Sequence, residues 1–226
     1  MVSYGIREGE PVSNEIEYLV NGHKKFRQRY FEEDHSLYKG FVKYGQRPRF
    51  IVIACSDSRV DPSVIMNCQP GDLFVIRNVA NLVPPCEIDT HYHGTSAALE
   101  FGIRNLKIKD IVVLGHSQCG GITALLESAK ENKKFEENSF LSKWMELAKP
   151  ACNHTLLNHP NLSTLEQAEI CGKTSILRSL ENLNTFSWVN SKVKEEELFL
   201  HAWYFDLSTG TINFFDQKEQ KFDALI

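Results

Sequence analysis

Three short apolar runs set the frame of this chain. Phe50-Ile51-Val52-Ile53-Ala54, Leu73-Phe74-Val75-Ile76 and Ile111-Val112-Val113-Leu114 are rich in β-branched residues and show no polar alternation. That is the pattern of strands buried on both faces of a parallel sheet. Helical stretches lie between or after them. Thr95 to Leu106 is the clearest crossover, followed by Ile122 to Lys130, Ser139 to Lys149 and Leu165 to Leu183. Leu198 to Phe205 predicts a fourth strand, which turns through Ser208-Thr209-Gly210 into Thr211 to Phe215 as a closing hairpin. Ahead of the first strand, Asn14 with Glu17 reads as a capping box, and Ile16, Leu19, Val20, His23, Phe26 and Phe31 form a helical stripe. A first helix to about Glu33 follows, weakened in its middle by Asn21-Gly22. Such a helix can pack on its own sheet or on a partner subunit.

This alternation predicts an α/β fold: a mainly parallel central sheet of four strands plus an antiparallel edge strand, flanked by helices. Residues 1–226 read as a single domain with an N-terminal helical arm at about 12–35. Ligands in such folds gather beyond the carboxyl ends of the strands. Cys55 directly follows the first strand, and His116 and Cys119 follow the third, so both segments are expected on the same rim.

Composition narrows the class without changing this picture. With 42% hydrophobic and 24% charged residues, the 226-residue chain has globular composition, and it contains no apolar run of membrane-spanning length. Met1 to Glu10 lacks the basic start and apolar stretch of a secretory signal, which predicts a cytoplasmic protein. Six cysteines are too sparse for a disulfide scaffold and read as thiols or ligands. A net charge of −4 argues against a nucleic-acid partner.

The candidate chemistry is concentrated in Cys55-Ser56-Asp57-Ser58-Arg59 and His116-Ser117-Gln118-Cys119. Zinc takes thiolate and imidazole ligands in a tetrahedron, and a catalytic site keeps one corner for water or substrate. Cys55, His116 and Cys119 fill three corners, with Gly120-Gly121 letting the backbone turn tightly before the next helix. Asp57 and Arg59 point to the same side of extended backbone, where the guanidinium can grip the carboxylate by two parallel hydrogen bonds. Asp57 can then accept the proton of a zinc-bound hydroxide, or it can bind zinc as a fourth ligand and close the site. Two thiolates and one neutral imidazole cancel the formal charge of the metal, so activity is expected to rise toward alkaline pH.

These two segments, with Gln69-Pro70-Gly71-Asp72 and Arg77-Asn78-Val79-Ala80-Asn81, resemble the β-class carbonic anhydrases, most closely the plant-type subgroup. The resemblance runs from about Tyr38 to Leu126 and more weakly to the C-terminus. It implies reversible hydration of carbon dioxide to bicarbonate and a proton by attack of zinc-bound hydroxide. It also implies one Zn2+ per subunit on Cys55, His116 and Cys119, with the Asp57-Arg59 pair beside it. A homodimer or dimer-based tetramer is implied as well, with the substrate pocket at the dimer interface. Gln46 matches the substrate-binding glutamine, and Phe74 and Val79 match the apolar wall, with Phe101 and Gly120 at the same pocket. Phe101 stands where plant-type members carry tyrosine. Val52 replaces the tryptophan of the bicarbonate-inhibited subgroup, so no second anion site is expected.

Three rival readings compete. Gly115-His116-Ser117-Gln118-Cys119 nearly spells the nucleophile elbow of α/β-hydrolases, with Ser117 as an esterase nucleophile and Cys119 where the last glycine belongs. A zinc-stabilised binding module would hold metal without catalysis. A carbon disulfide or carbonyl sulfide hydrolase would use the same zinc scaffold. The remaining cysteines, Cys68, Cys86, Cys152 and Cys171, read as plain thiols, and His91, His93, His154 and His159 as solvated side chains.

Overall fold

A computed structural model of the chain describes residues 14–89, 91–131 and 139–225. The stretch from Met1 to Glu10 and the expected start of the arm at residue 12 lie outside the described residues. The chain forms two compact units, Met1–Gln46 and Arg47–Ile226.

In the first unit, α1 (Asn14–Arg27) runs straight through Asn21-Gly22 and continues into a π-helical turn, Gln28–Glu33, in agreement with the expected helix. A further helix, α2 (Ser36–Tyr44), was not anticipated; it ends at Gly45, whose φ of 73° suits glycine. Aromatic rings tie the unit together, with Phe26 centred 5.0 Å from Tyr30 and 5.6 Å from Tyr38, and Phe31 4.8 Å from Tyr38. Even so, neither helix has a buried residue.

The second unit is built on a six-stranded sheet: β1 (Phe50–Cys55), β2 (Leu73–Asn78), β3 (Asp110–His116), β4 (Phe199–Phe205), β5 (Ile212–Asp216) and β6 (Lys221–Ala224). The spatial order is β2-β1-β3-β4-β5-β6, with the first four parallel and the last two pairings antiparallel. The parallel core is as expected, while the antiparallel edge has two strands where the sequence predicted one. β6 is four residues long and none of them is buried, so it carries no hydrophobic signature. β2 also departs from its reading as a strand buried on both faces. It lies at the sheet edge, and only Ile76 in it is buried.

The helices of this unit are α3 (Pro62–Ile65), α4 (Gly94–Glu100, extended by a π turn Phe101–Asn105), α5 (Gly120–Lys130), α6 (Phe140–Met145), α7 (Lys149–Asn158), α8 (Thr164–Leu183) and α9 (Ser187–Lys194). The expected helix ending at Lys149 stops early, and α7 begins there with Pro150 in its first turn. Alternate residues of β1 and β3 serve two faces. Ile51, Ile53, Ile111 and Val113 pack with Ile176 and Leu183 of α8 and Val189 of α9. Val52, Ala54, Val112 and Leu114 form the other face, capped by Met66, Leu73 and Trp203. Close approach explains Gly115, where a Cβ would lie 2.6 Å from Ile176 Cδ1. Among the described residues no helix is long and apolar enough to cross a membrane.

Candidate metal centre

Parallel register brings the ends of β1 and β3 to one rim, with Cys55 beside Asn78 and His116 beside Phe205. There Cys55, His116 and Cys119 converge, with one potential ligand atom from each lying within 4.8 Å of the others, and all three residues buried. The chain reverses at Gln118, whose φ of 55° is in the left-handed region. The expected turn at Gly120-Gly121 is therefore displaced by two residues. Gly121 is needed for packing instead, because a Cβ there would stand 2.9 Å from Val79 Cγ1.

The donor set fits zinc on three observations. The Cys55 and Cys119 sulfurs are 3.9 Å apart, and two sulfurs each about 2.3 Å from a tetrahedral ion stand about 3.8 Å apart. His116 Nδ1 bonds the Ser117 carbonyl oxygen at 2.8 Å, which assigns the proton to Nδ1 and leaves Nε2 as a bare lone pair. That Nε2 is buried and has no hydrogen-bond partner among the described residues, an arrangement that a metal would satisfy. Finally, backbone N–H groups of Asp57 and Ala80 address the Cys55 sulfur, and those of Gly121 and Ile122 address Cys119 at the start of α5. Such donors favour thiolates. The two thiols share a proton: the Cys119 hydrogen bond is the first cause drawing Cys55 down, to about 4, and it drives Cys119 up.

Beside this cluster Arg59 holds Asp57 with both prongs, Nε to Oδ1 at 3.0 Å and Nη2 to Oδ2 at 2.7 Å, while Nη2 also reaches the Gln118 carbonyl at 3.2 Å. Both carboxylate oxygens face the guanidinium, and Asp57 is not among the three converging ligands. The Arg59 hydrogen bonds, ahead of every other cause, hold the Asp57 carboxyl well below the usual carboxylate range. A depressed folded-state pKa contributes stability above the unfolded value of about 3.9, and that stability is lost as pH falls through the folded value. Denaturant unfolding between pH 5 and pH 2 is therefore expected to show a shallower acid loss in Asp57→Asn than in the parent chain.

Arg77 is a positioning residue that the sequence did not single out beyond its place in a motif. Its guanidinium donates to the Cys55 carbonyl at 3.0 Å, the Asp57 carbonyl at 2.6 Å and Asp61 Oδ2 at 3.2 Å, clamping the loop from Cys55 to Asp61. Asp61 in turn caps α3.

The expected pocket residues are distributed as follows. Phe74 and Phe101 are neighbours, with ring centroids 6.1 Å apart. Val79 lies against the Gly121 side of the centre, and a Cβ at Gly120 would enter open space. Gln46 is exposed at the end of the first unit. Val52 is fully buried in the sheet. Ser117 is tied into the backbone, its N–H donating to Phe205 and its Oγ accepting from Leu207 N–H at 2.9 Å. No hydrogen bond from a histidine side chain activates it among the described residues, which removes the basis of the hydrolase reading.

Comparison with known proteins then fixes the family. The carbonic anhydrase family profile matches residues 50–212. The chain belongs to the carbonic anhydrase family. It is 41% identical over 181 residues to β carbonic anhydrase 5, chloroplastic, of Arabidopsis thaliana, a match spanning 80% of this chain and 58% of that relative. Within the family it is of the plant-type β class. The solved β-carbonic anhydrase CcaA superposes with a TM-score of 0.86 at 32% identity, covering 95% of this chain and 93% of CcaA. Two tetrameric β-carbonic anhydrases from Sordaria macrospora are represented by a structure with a TM-score of 0.77 and 27% identity, covering 89% of this chain and 97% of that one. The candidate ligands Cys55, His116 and Cys119 thus lie together on one rim of the sheet of a chain of this family.

Proposed function

We propose that this chain hydrates carbon dioxide reversibly to bicarbonate and a proton, using one zinc ion per subunit held by Cys55 Sγ, His116 Nε2 and Cys119 Sγ. The observation that carries the reading is the unpartnered, buried His116 Nε2 turned toward two thiols 3.9 Å apart, in a chain of this family. Zinc, when bound, supplies Lewis acidity that lets a water ionise near neutral to alkaline pH. Asp57, fixed by Arg59, accepts a hydrogen bond from the attacking oxygen and aims its lone pair. Both carboxylate oxygens bond Arg59, which would keep Asp57 off the metal and leave the fourth position to water or substrate. Phe74, Phe101 and Val79 give an apolar wall suited to carbon dioxide, Gly120 leaves room beside it, and Gln46 donates to substrate.

The whole chain, 1–226, works in this reading as one enzyme domain with residues 12–35 as its arm. Assembly as a homodimer or a dimer-based tetramer is supported by the apolar surface of α1 and α2. Leu19 is 64% exposed and Val42 89% exposed, which is surface that a second copy would cover. The tetrameric Sordaria relatives support the same assembly. We place the protein in the cytoplasm.

Stopped-flow carbon dioxide hydration on zinc-quantified protein tests the function. The expected result is one zinc per chain and a rate that climbs from neutral to alkaline pH. A full complement of zinc without hydration would instead favour a metal-stabilised binding module, and turnover confined to carbon disulfide or carbonyl sulfide would favour the related hydrolases.

A further inference from the structure

We propose that His93, held by Asp89, carries the proton of the reaction between the metal pocket and the bulk buffer. The proposal rests on the hydration reading above, in which carbon dioxide and water give bicarbonate and one proton that must leave the pocket each turnover. Imidazole is the side chain whose ordinary titration range suits taking and returning a proton near neutrality.

The placement is the main argument. β2 ends at Asn78, which pairs with Cys55 at the metal rim. Asn78 Nδ2 also donates to Thr95 Oγ1 at 3.3 Å, so the start of α4 is tied to that same rim. His93 immediately precedes α4, and its carbonyl accepts the Ala97 N–H at 2.9 Å. A cleft of about 890 Å³ opens here, and Asn78, Val79, Thr95, Trp144, His91 and His93 are among the residues that line it. Val79 lines this cleft, and its Cγ1 packs against Gly121, two residues beyond Cys119. Trp144 donates Nε1–H to the Val79 carbonyl at 2.8 Å.

The side-chain arrangement suits a relay. His93 Nε2 meets Asp89 Oδ1 at 2.7 Å, and His91 Nδ1 meets Asp89 Oδ2 at 3.1 Å. With Nε2–H donated to the carboxylate, His93 Nδ1 is the nitrogen that accepts the proton and releases it to a buffer base. His93 is the inner ring, with 31% of its side chain exposed, and His91 the outer one, with 82%. Asp89 fixes both, and the His93 hydrogen bond is the first cause holding its carboxyl below the usual range. The other charged groups on the cleft are Glu87 and Lys143. Another paired histidine, His201, bonds Asp110 at 2.9 Å, but Asp110 opens β3 at the end of the sheet opposite the metal rim.

The test compares the zinc-loaded parent with His93→Asn and Asp89→Asn at low and high buffer concentration. In His93→Asn, kcat at low buffer is expected to fall about tenfold or more, the lower edge of what positioned proton transfer contributes. kcat/KM should hold, and added imidazole should restore kcat. Ring 15N spectra, independent of turnover, should show His93 Nε2 hydrogen-bonded in the parent chain and released in Asp89→Asn. Unchanged kcat at low buffer in His93→Asn, a parallel loss of kcat/KM, or no rescue by imidazole overturns the relay. Absence of hydration in the zinc-loaded parent overturns the underlying reading instead.

Discussion

Cys55→Ser protein is expected to purify with zinc well below one ion per chain and to hydrate carbon dioxide at least ~10³-fold more slowly than the parent, because the metal-lowered pKa of water is lost with the ion. Serine keeps the shape of the site but not its donor. A hydroxyl stays protonated where a thiol ionises, and the N–H groups of Asp57 and Ala80 are aimed at the sulfur. The strand itself should survive, since Ile51 to Ala54 carry its packing on both faces. Circular dichroism should therefore match the parent while metal content and rate collapse. Cys68→Ser, at a thiol that is not part of the cluster, should leave zinc and rate unchanged. Retained zinc and full rate in Cys55→Ser would remove Cys55 from the site.

Arg59→Ala is expected to leave zinc in place while lowering kcat/KM by about 10²-fold, the scale of one lost transition-state donor or orienting group. In the parent chain both Asp57 oxygens are taken by Arg59, at 3.0 and 2.7 Å. Without that fork the carboxylate would be free to serve as a fourth zinc ligand in place of the reacting oxygen. Arg59→Lys should recover little, because an ammonium cannot bind both oxygens in parallel. Stopped-flow rates with zinc analysis check this, and an Arg59→Ala enzyme as fast as the parent would show that the pair plays no part.

The parts of this molecule that were legible in its sequence are those with a local signature. β1 and β3 lie in mid-sheet, so nearly every residue is buried and their boundaries fall within two residues of the expected apolar runs. The cluster of candidate ligands was legible because Cys55 and His116 end two such strands and Cys119 follows three residues after the second. β6 had no signature to read, being short and without a buried position. α7 was hidden by Pro150, which looks like a stop but is well tolerated in a first helical turn. β2 misled because its apolar run matches a central strand while the topology puts it at the edge. Arg77 and the Asp89-His93 pair were beyond local reading for different reasons. The clamp of Arg77 reaches back 22 residues to the Cys55 carbonyl, a tertiary contact. Asp89 and His93 are close in sequence, but their meaning comes from the cleft that α4 and the Asn78-Val79 segment build around them.

X-ray absorption at the zinc edge of the purified protein tests the central claim most directly. Two sulfurs at about 2.3 Å, one imidazole nitrogen at about 2.0 Å and one further light atom are expected. A shell of four sulfurs, or one of nitrogen and oxygen without sulfur, would contradict it.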